Sequence, residues 1–391
     1  MKDRVLVFGY YGMGNSGSEI RLKIMIEDIR KANSDADITV AIFRYNRIKR
    51  IKGIHYIFLN NIFTGVLEMI EKIPQFDYIV CGEGIPFVDF CGTGFLNYFL
   101  PILYFGHLFG KKTACYSFDI DELTNFHEWI TLKILKNVDL LVARTRTTYN
   151  FLKKRGINKN LHLGTDTSLL FNVKKLENKR KKIGFCLKDL YCYPVKMRLF
   201  GRKENRYHYP YYYTYAHHGK EKYKEFVKKM SSMIDTLLEE DKSLWIQLII
   251  LEHQMDYKVA RDIYKAVKNK QRVELISRKN HELEYIKSVF SNLKCLIATR
   301  YHALLQGLEY KTPTLVLSSD ERFEYFIEEM GLGKFLIKVY EEGLNTKKII
   351  NFIKKYSFVK EEFNSKVRKK FPVLKKRAKH NYKFLVKFFK S

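Results

Sequence analysis

Apolar residues recur along this chain in short β-rich runs separated by longer stretches with helical spacing. The runs are Arg4–Phe8, Ile38–Phe43, Ile54–Leu59, Tyr78–Cys81, Thr113–Ser117 and Leu140–Ala143 in the first half. Helical patterns stand between them: Leu22, Met25, Ile26 and Ile29 share one face, and Asn97–Phe109, Leu123–Asn137 and Thr147–Arg155 read the same way. Strands alternating with helices of this length predict βαβ units and a mostly parallel sheet.

The charged, pattern-poor stretch 172–182 marks a boundary, after which Ile183–Lys188 opens a second α/β series. That series predicts strands at Leu244–Leu251, Val273–Ile276, Lys294–Ala298 and Thr314–Leu317. Its helices are expected at 220–239, Tyr257–Val267, His281–Phe290, from His302, and at Arg322–Met330. The organisation expected is therefore a first domain over 1–172, a second over 183–345 with an insertion at 190–223, and a tail over 346–391. Two such sheets facing one another would form a central cleft between their carboxyl edges, where open α/β sheets bind ligands.

Candidate chemistry sits at the strand ends. Lys294-Cys295-Leu296-Ile297-Ala298-Thr299-Arg300-Tyr301-His302 ends an apolar run in an arginine and a histidine two residues apart, at the start of a helix. Arginine offers a planar five-donor fork for phosphate or carboxylate, and histidine is the side chain most readily tuned to exchange a proton near neutral pH. A structural pair is the competing reading.

Gly9-Tyr10-Tyr11-Gly12-Met13-Gly14-Asn15-Ser16-Gly17-Ser18-Glu19 follows the first strand and opens a helix, a context that can bring backbone N–H groups to an anion. The spacing is neither a dinucleotide fingerprint nor a Walker loop, and a tight structural turn would look the same. Cys81-Gly82-Glu83-Gly84, leading to Asp89, is a second glycine-rich strand end, where the glycines could let a bound group approach closely. Arg144 and Arg146 form a third, read either as cleft-facing or as solvated arginines starting a helix.

Composition changes the picture in three places. The 391 residues carry a formal net charge of +29, which favours an anionic partner. From Phe352 to Ser391 the tail holds 12 Lys and 2 Arg against 2 Glu, interleaved with apolar residues, and Pro372 is expected to break it into separate helices. A basic amphipathic tail suits an anionic membrane surface; closing over the first domain, or coating the body with charge, are the other readings. The segment Leu190–Tyr223 holds nine tyrosines, Tyr211 and Tyr213 among them, and three histidines without metal-ligand spacing. It reads either as an acceptor-binding lid, since tyrosine rings can stack on sugars, or as a packed insertion or subunit contact.

The six cysteines form no CxxC pair and several sit in apolar runs, which predicts buried free thiols in a reducing compartment. No apolar run reaches membrane-spanning length, and the amino terminus shows no signal-peptide pattern, so an intracellular protein is expected. Net charge alone raises nucleic acid as a partner, but there is no zinc-finger spacing or RNA-binding strand motif. Homo-oligomerisation stays open.

Taken in order, the segment Gly9–Glu19, the strand, arginine and helix from Leu141 through Gly156, and Ala298–Leu304 with Pro313 and Gly331-Leu332 downstream resemble the polysaccharide pyruvyl transferase family. The resemblance runs from the first strand to about residue 333. It implies an α/β architecture of two Rossmann-like domains facing a central cleft, like that of GT-B glycosyltransferases. It also implies transfer of a pyruvyl group as a ketal from phosphoenolpyruvate to a sugar hydroxyl of a cell-surface polysaccharide or its lipid-linked precursor. The protein would then be cytoplasmic, peripheral at the inner face of the cell membrane, and would need no cofactor or metal.

In that family the Arg-x-His segment binds the donor, here Arg300 and His302, with Lys188 and Arg144 as further donor-side cations. His302 would give a proton or a hydrogen bond, Glu19 or Asp89 would orient or deprotonate the acceptor, and the acceptor side would comprise Gly12, Asn15, Gly17, Glu83, Asp89, Tyr211 and Tyr213. The chain departs from the family pattern at Ser18, where Asp is usual, at Cys81 and Glu83, which interrupt a run of glycines, at Lys188, where arginine is common, and at Arg144-Thr145, where an acid usually follows the arginine. The alternatives are a GT-B transferase with a nucleotide-sugar donor and a non-catalytic relative.

Overall fold

The computed structural model describes all residues except 1, 44–49, 90–92, 177–179, 195–212, 216–217 and 319–320. The chain forms two compact units: Met1–Phe171 with Tyr193–Thr214 and Leu374–Ser391, and Asn172–Cys192 with Tyr215–Val373.

The first unit contains β1 (Arg4–Phe8), β2 (Asp37–Phe43), β3 (His55–Leu59), β4 (Tyr78–Cys81), β5 (Lys112–Phe118), β6 (Leu140–Ala143) and β7 (Leu161–Leu163). They make one sheet in the order β3-β2-β1-β4-β5-β6-β7, and all its pairings are parallel. Parallel strands covered by helices on both faces bury nearly every side chain, which is why these segments read as continuous apolar runs.

The second unit opens with β8 (Lys181–Cys186). The short strands β9 (Cys192–Pro194) and β10 (Tyr213–Tyr215) pair with each other. The second sheet continues through β11 (Leu244–Ile249), β12 (Val273–Ile276), β13 (Leu293–Ala298), β14 (Thr314–Ser318) and β15 (Leu336–Lys338). Its order is β12-β11-β8-β13-β14-β15, again parallel.

In each sheet the strand order reverses beside the unit's first strand: between β1 and β4, and between β8 and β13. A reversal leaves the loops of two adjacent strands running in opposite directions, so a crevice opens at their carboxyl ends. The loops after β1 and β4 carry Gly9–Asn15 and Gly82–Gly84; those after β8 and β13 carry Lys188 and Arg300.

The tail departs from expectation. The helix Glu361–His380 runs through Pro372; the tail's helices are separated instead at 357–360, after the helix Thr346–Tyr356, and at Asn381, before the helix Tyr382–Lys390. Proline removes one hydrogen bond from a helix, but Phe363, Val367, Phe371, Leu374 and Ala378 are buried along the same side and hold the helix together. Nor is the tail's apolar face free: Leu385 and Phe388 belong to the first unit's core with Val5, Ile26 and Val142. Asn381 is fully buried and donates from Nδ2 to the Thr165 carbonyl at 2.8 Å.

Of the tyrosine-rich insertion, Tyr211 lies outside the described residues and Tyr213 is described through its backbone in β10. Cys81, Cys115, Cys186 and Cys295 are free and buried. Burial pushes the Cys115 and Cys186 thiols well up, and Cys295 to about 12, so these sulfurs stay protonated packing groups.

Candidate functional site

At the first unit's switch point the glycine-rich loop folds back on the protein itself. Gly12 has φ +81°, and a Cβ there would stand 2.1 Å from the Phe43 carbonyl oxygen, so only glycine fits. Asn15 caps the helix Ser16–Ala32, its side chain accepting from the N–H groups of Gly17 at 3.0 Å and Ser18 at 3.2 Å.

Glu83 is buried and satisfied by three neighbours. It accepts from the Tyr10 N–H at 2.8 Å, the Gly84 N–H at 2.7 Å and the Ser18 hydroxyl at 3.3 Å. Two of the chain's departures from the family pattern, Ser18 and Glu83, are thus hydrogen-bonded partners. Glu19, in the helix's first turn, is also buried.

The space a Cβ would take on the glycines beside Glu83 is filled by protein side chains. A Cβ on Gly82 would meet Met25 and the Tyr11 hydroxyl at 2.3 Å, and one on Gly84 would meet Arg21 Nη1 at 2.1 Å. Arg21 is itself buried and donates from Nη2 to the Ser117 carbonyl at 2.6 Å, holding Ser117 at φ +59°.

The structure gives Arg144 a different place from the donor contact expected of it. Its guanidinium is 4% exposed, donates from Nε to Asp119 at 2.7 Å and from Nη1 to Asp166 at 3.1 Å, and so meets two buried carboxylates within its own unit. Asp119 also accepts from the hydroxyls of Thr145 at 2.7 Å and Thr148 at 2.9 Å. Arg144 therefore ties the ends of β5, β6 and β7. Asp89 is committed as well: it accepts from the Thr124 N–H at 2.6 Å and pairs with His127 at 2.5 Å.

At the second unit's switch point the strand ends are clipped together by Thr299. Its N–H donates to the Cys186 carbonyl at 2.9 Å, and its hydroxyl accepts from the Lys188 N–H at 2.7 Å. Lys188 and Arg300 are thereby carried on adjoining loops. Arg300 is the N-cap residue of the helix Tyr301–Tyr310, and His302 lies half-buried in that helix's first turn.

The Arg300 side chain keeps 21% of its surface exposed while its inner edge is held by Glu252, in the loop after β11, and Asp256, in the first turn of the helix His253–Ala266. Nε donates to Asp256 at 2.8 Å, Nη2 bonds to the same carboxylate oxygen, and Glu252 is 3.6 Å away. Asp256 is fully buried and also accepts from the Glu252 N–H at 3.0 Å. Burial opposes the charge on Arg300, but these two carboxylates outweigh it and raise the guanidinium above its ordinary value.

His253 stands between the two acids in sequence, half-buried, with its ring 5.0 Å from that of Tyr257. Burial and then Lys279 hold its imidazole below the ordinary histidine value, and so neutral at physiological pH.

Sequence reasoning missed Asp256 as the partner of Arg300 because it began this helix at Tyr257. The helix starts at His253, and the acids at 252 and 256, one turn apart directly after an apolar strand, were the available signal. The surroundings can present the outer edge of a rigidly aimed guanidinium, with Lys188 on the next loop, to an anionic group. Among the described residues no group of three or more His, Cys, Asp or Glu is placed to hold a metal ion, and no helix is long and apolar enough to cross a membrane.

Two parallel α/β units, each with polar groups at a switch point, define a Rossmann-like, GT-B-like α/β fold. The chain belongs to the polysaccharide pyruvyl transferase family, whose model matches residues 15–321. No curated protein matches it in sequence.

Among solved structures it is similar to UDP-GlcNAc 2-epimerase from Neisseria meningitidis bound to UDP-GlcNAc, at TM-score 0.63 and 12% identity, covering 99% of this chain and 100% of that one. It is also similar to UDP-GlcNAc 2-epimerase from Methanocaldococcus jannaschii, at TM-score 0.58 and 13% identity over 95% and 99% of the two chains. A third is an α,α-trehalose-phosphate synthase (UDP-forming) from Burkholderia vietnamiensis, at TM-score 0.55 and 9% identity over 100% of both. At these identities the likeness is one of fold.

Proposed function

We propose that this protein transfers a pyruvyl group from phosphoenolpyruvate to a sugar hydroxyl of a cell-surface polysaccharide or its lipid-linked precursor, working at the inner face of the cell membrane. Family membership over residues 15–321 is the observation that carries the reading. Arg300 supports it locally: an arginine aimed by Asp256 and still exposed on one side suits the carboxylate or phosphate of such a donor.

In this scheme the second unit takes the donor and the first the acceptor. Arg300 and Lys188 contact the two anionic groups. His302 protonates the enol methylene carbon, and a sugar hydroxyl attacks the carbon that becomes electrophilic. The first hydroxyl's proton returns to His302, and a second hydroxyl then closes the ketal as phosphate leaves, its proton passing through Glu19 to the departing phosphate.

A second reading, transfer from a nucleotide sugar, is favoured by the similarity of fold to UDP-GlcNAc 2-epimerases, one of them bound to UDP-GlcNAc. Thermal stability measured with phosphoenolpyruvate and, separately, with UDP-GlcNAc distinguishes them. The first reading expects stabilisation by phosphoenolpyruvate that Arg300→Ala and His302→Ala abolish while both variants stay folded. Stabilisation by the nucleotide sugar alone would overturn it.

A further inference from the structure

The tail's basic residues form a surface that the buried apolar face leaves pointing outward. From Phe363 to Ser391 the chain holds nine lysines and two arginines and no acidic residue. Lys376, Lys379, Lys383, Lys387 and Lys390 are all exposed, at successive spacings of three and four. Asn381, between the two helices, keeps helical dihedrals (φ −53°, ψ −42°), so at about 100° per residue the five lysines fall on one face. Leu374, Ala378, Asn381, Leu385 and Phe388 occupy the opposite, buried face. Among the described residues none of the five lysines has a carboxylate partner.

We infer that this stripe, on the order of 20 Å long, is a docking surface for the anionic headgroups of a lipid bilayer. The mode is adsorption without insertion, because the face opposite the lysines is buried: Leu374, Ala378, Leu385 and Phe388 lie on it, and Leu385 and Phe388 pack in the first unit's core. Lysines are compact, strongly hydrated point charges suited to a diffuse anionic surface, whereas specific phosphate recognition favours arginine's planar fork.

Single-stranded nucleic acid would call for exposed aromatic rings between the cations. Three of the nearby rings are engaged instead: Phe384 stacks on His162 at 4.4 Å, Phe389 meets Tyr78 at 4.8 Å and Phe388 lies in the first unit's core. The inference deepens the membrane placement proposed above, but vesicle binding is measured without donor or acceptor. Its failure would leave the transfer reading standing, and failure of that reading would leave the stripe.

The test is cosedimentation of the full chain with vesicles of phosphatidylglycerol and phosphatidylcholine, against vesicles of phosphatidylcholine alone. Wild type should bind the anionic vesicles only, and lose them as salt rises and the screening length shortens. Combined Lys379→Glu, Lys383→Glu and Lys387→Glu should weaken binding at least about 100-fold, at roughly fivefold per lysine.

The control, Lys220→Glu with Lys224→Glu and Lys228→Glu, makes the same change in net charge at exposed lysines of the second unit and should bind nearly as wild type. If the charge-reversed tail fails to fold, Lys→Gln at the same three positions carries the test. Equal losses in tail and control variants, binding to neutral vesicles, or binding to RNA but not to anionic vesicles would each overturn the inference.

Discussion

Asp256→Asn isolates what holds Arg300. The change keeps the side chain's size and one acceptor oxygen but removes the charge facing the guanidinium. Asp256 is fully buried and accepts both Nε and Nη2, whereas Glu252 is 3.6 Å away and accepts the Met255 N–H at 2.7 Å. Breaking a fully buried pair leaves an uncompensated charge. Because Arg300 keeps one-fifth exposure and Glu252 remains near, the expected loss sits at or just below the low end of the buried-pair range, about 2–3 kcal/mol. Glu252→Gln should cost less, roughly 0.5–1 kcal/mol.

The two tryptophans fall one in each unit, Trp129 and Trp245, and Trp245 lies in β11 itself. Urea unfolding followed by fluorescence in a Trp129→Phe background therefore reads the second unit alone. Stabilisation by phosphoenolpyruvate should fall in parallel, since an arginine with a free inner edge is no longer aimed. If Asp256→Asn left the transition within about 0.5 kcal/mol of wild type, or Glu252→Gln cost more, Arg300 would not be held as described.

Two further outcomes follow from the first unit. Asp28, buried and hydrogen-bonded to the Tyr116 hydroxyl at 2.7 Å, has its carboxyl raised from 3.8 to about 6, mainly by burial. Between those values the folded state holds a proton that the unfolded state has released, so stability falls as pH rises through the window and is level above it. The total is roughly 3 kcal/mol at about 1.4 kcal/mol for each tenfold change in proton affinity, and Asp28→Asn should remove the slope and be more stable than wild type at pH 7 in urea titrations. Ser18→Asp would bury a second carboxylate against Glu83 and should destabilise; adding Glu83→Gln supplies a donor, so a double-mutant cycle read by unfolding should show a favourable coupling of about 1 kcal/mol or more.

What the sequence makes legible here is set by burial on both sides of a parallel sheet. β4, β6 and β12 match their apolar runs residue for residue, because bounded runs between polar loops have little freedom in where they start. The helix Ile62–Lys72 escaped notice because its apolar residues surround Gly65, and β15 because three residues carry no period. Pro372 misled because a local rule was outvoted by five buried neighbours along one helix side. The tail's apolar residues signalled amphipathicity correctly, but pattern cannot say whether such a face meets lipid or the protein's own core. Leu385 and Phe388 meet the core.

Arg144 and Arg300 show where sequence reasoning about the site reaches its limit. Each follows a buried parallel strand, β6 or β13, and each is met by two carboxylates of its own sheet's carboxyl edge: Asp119 and Asp166, after β5 and β7, for one, and Glu252 and Asp256, both after β11, for the other. From sequence the two arginines give the same signal, a cation at a carboxyl edge. The difference lies in what the acids leave uncovered. At 4% side-chain exposure Arg144 is surrounded and ties three strands; at 21% Arg300 has acids on its inner edge and a face still open. Acidic partners that would neutralise an arginine if they enclosed it instead aim it when they take one edge, so the distribution of its neighbours, not the residue type, separates a strut from an arginine left open to an anion.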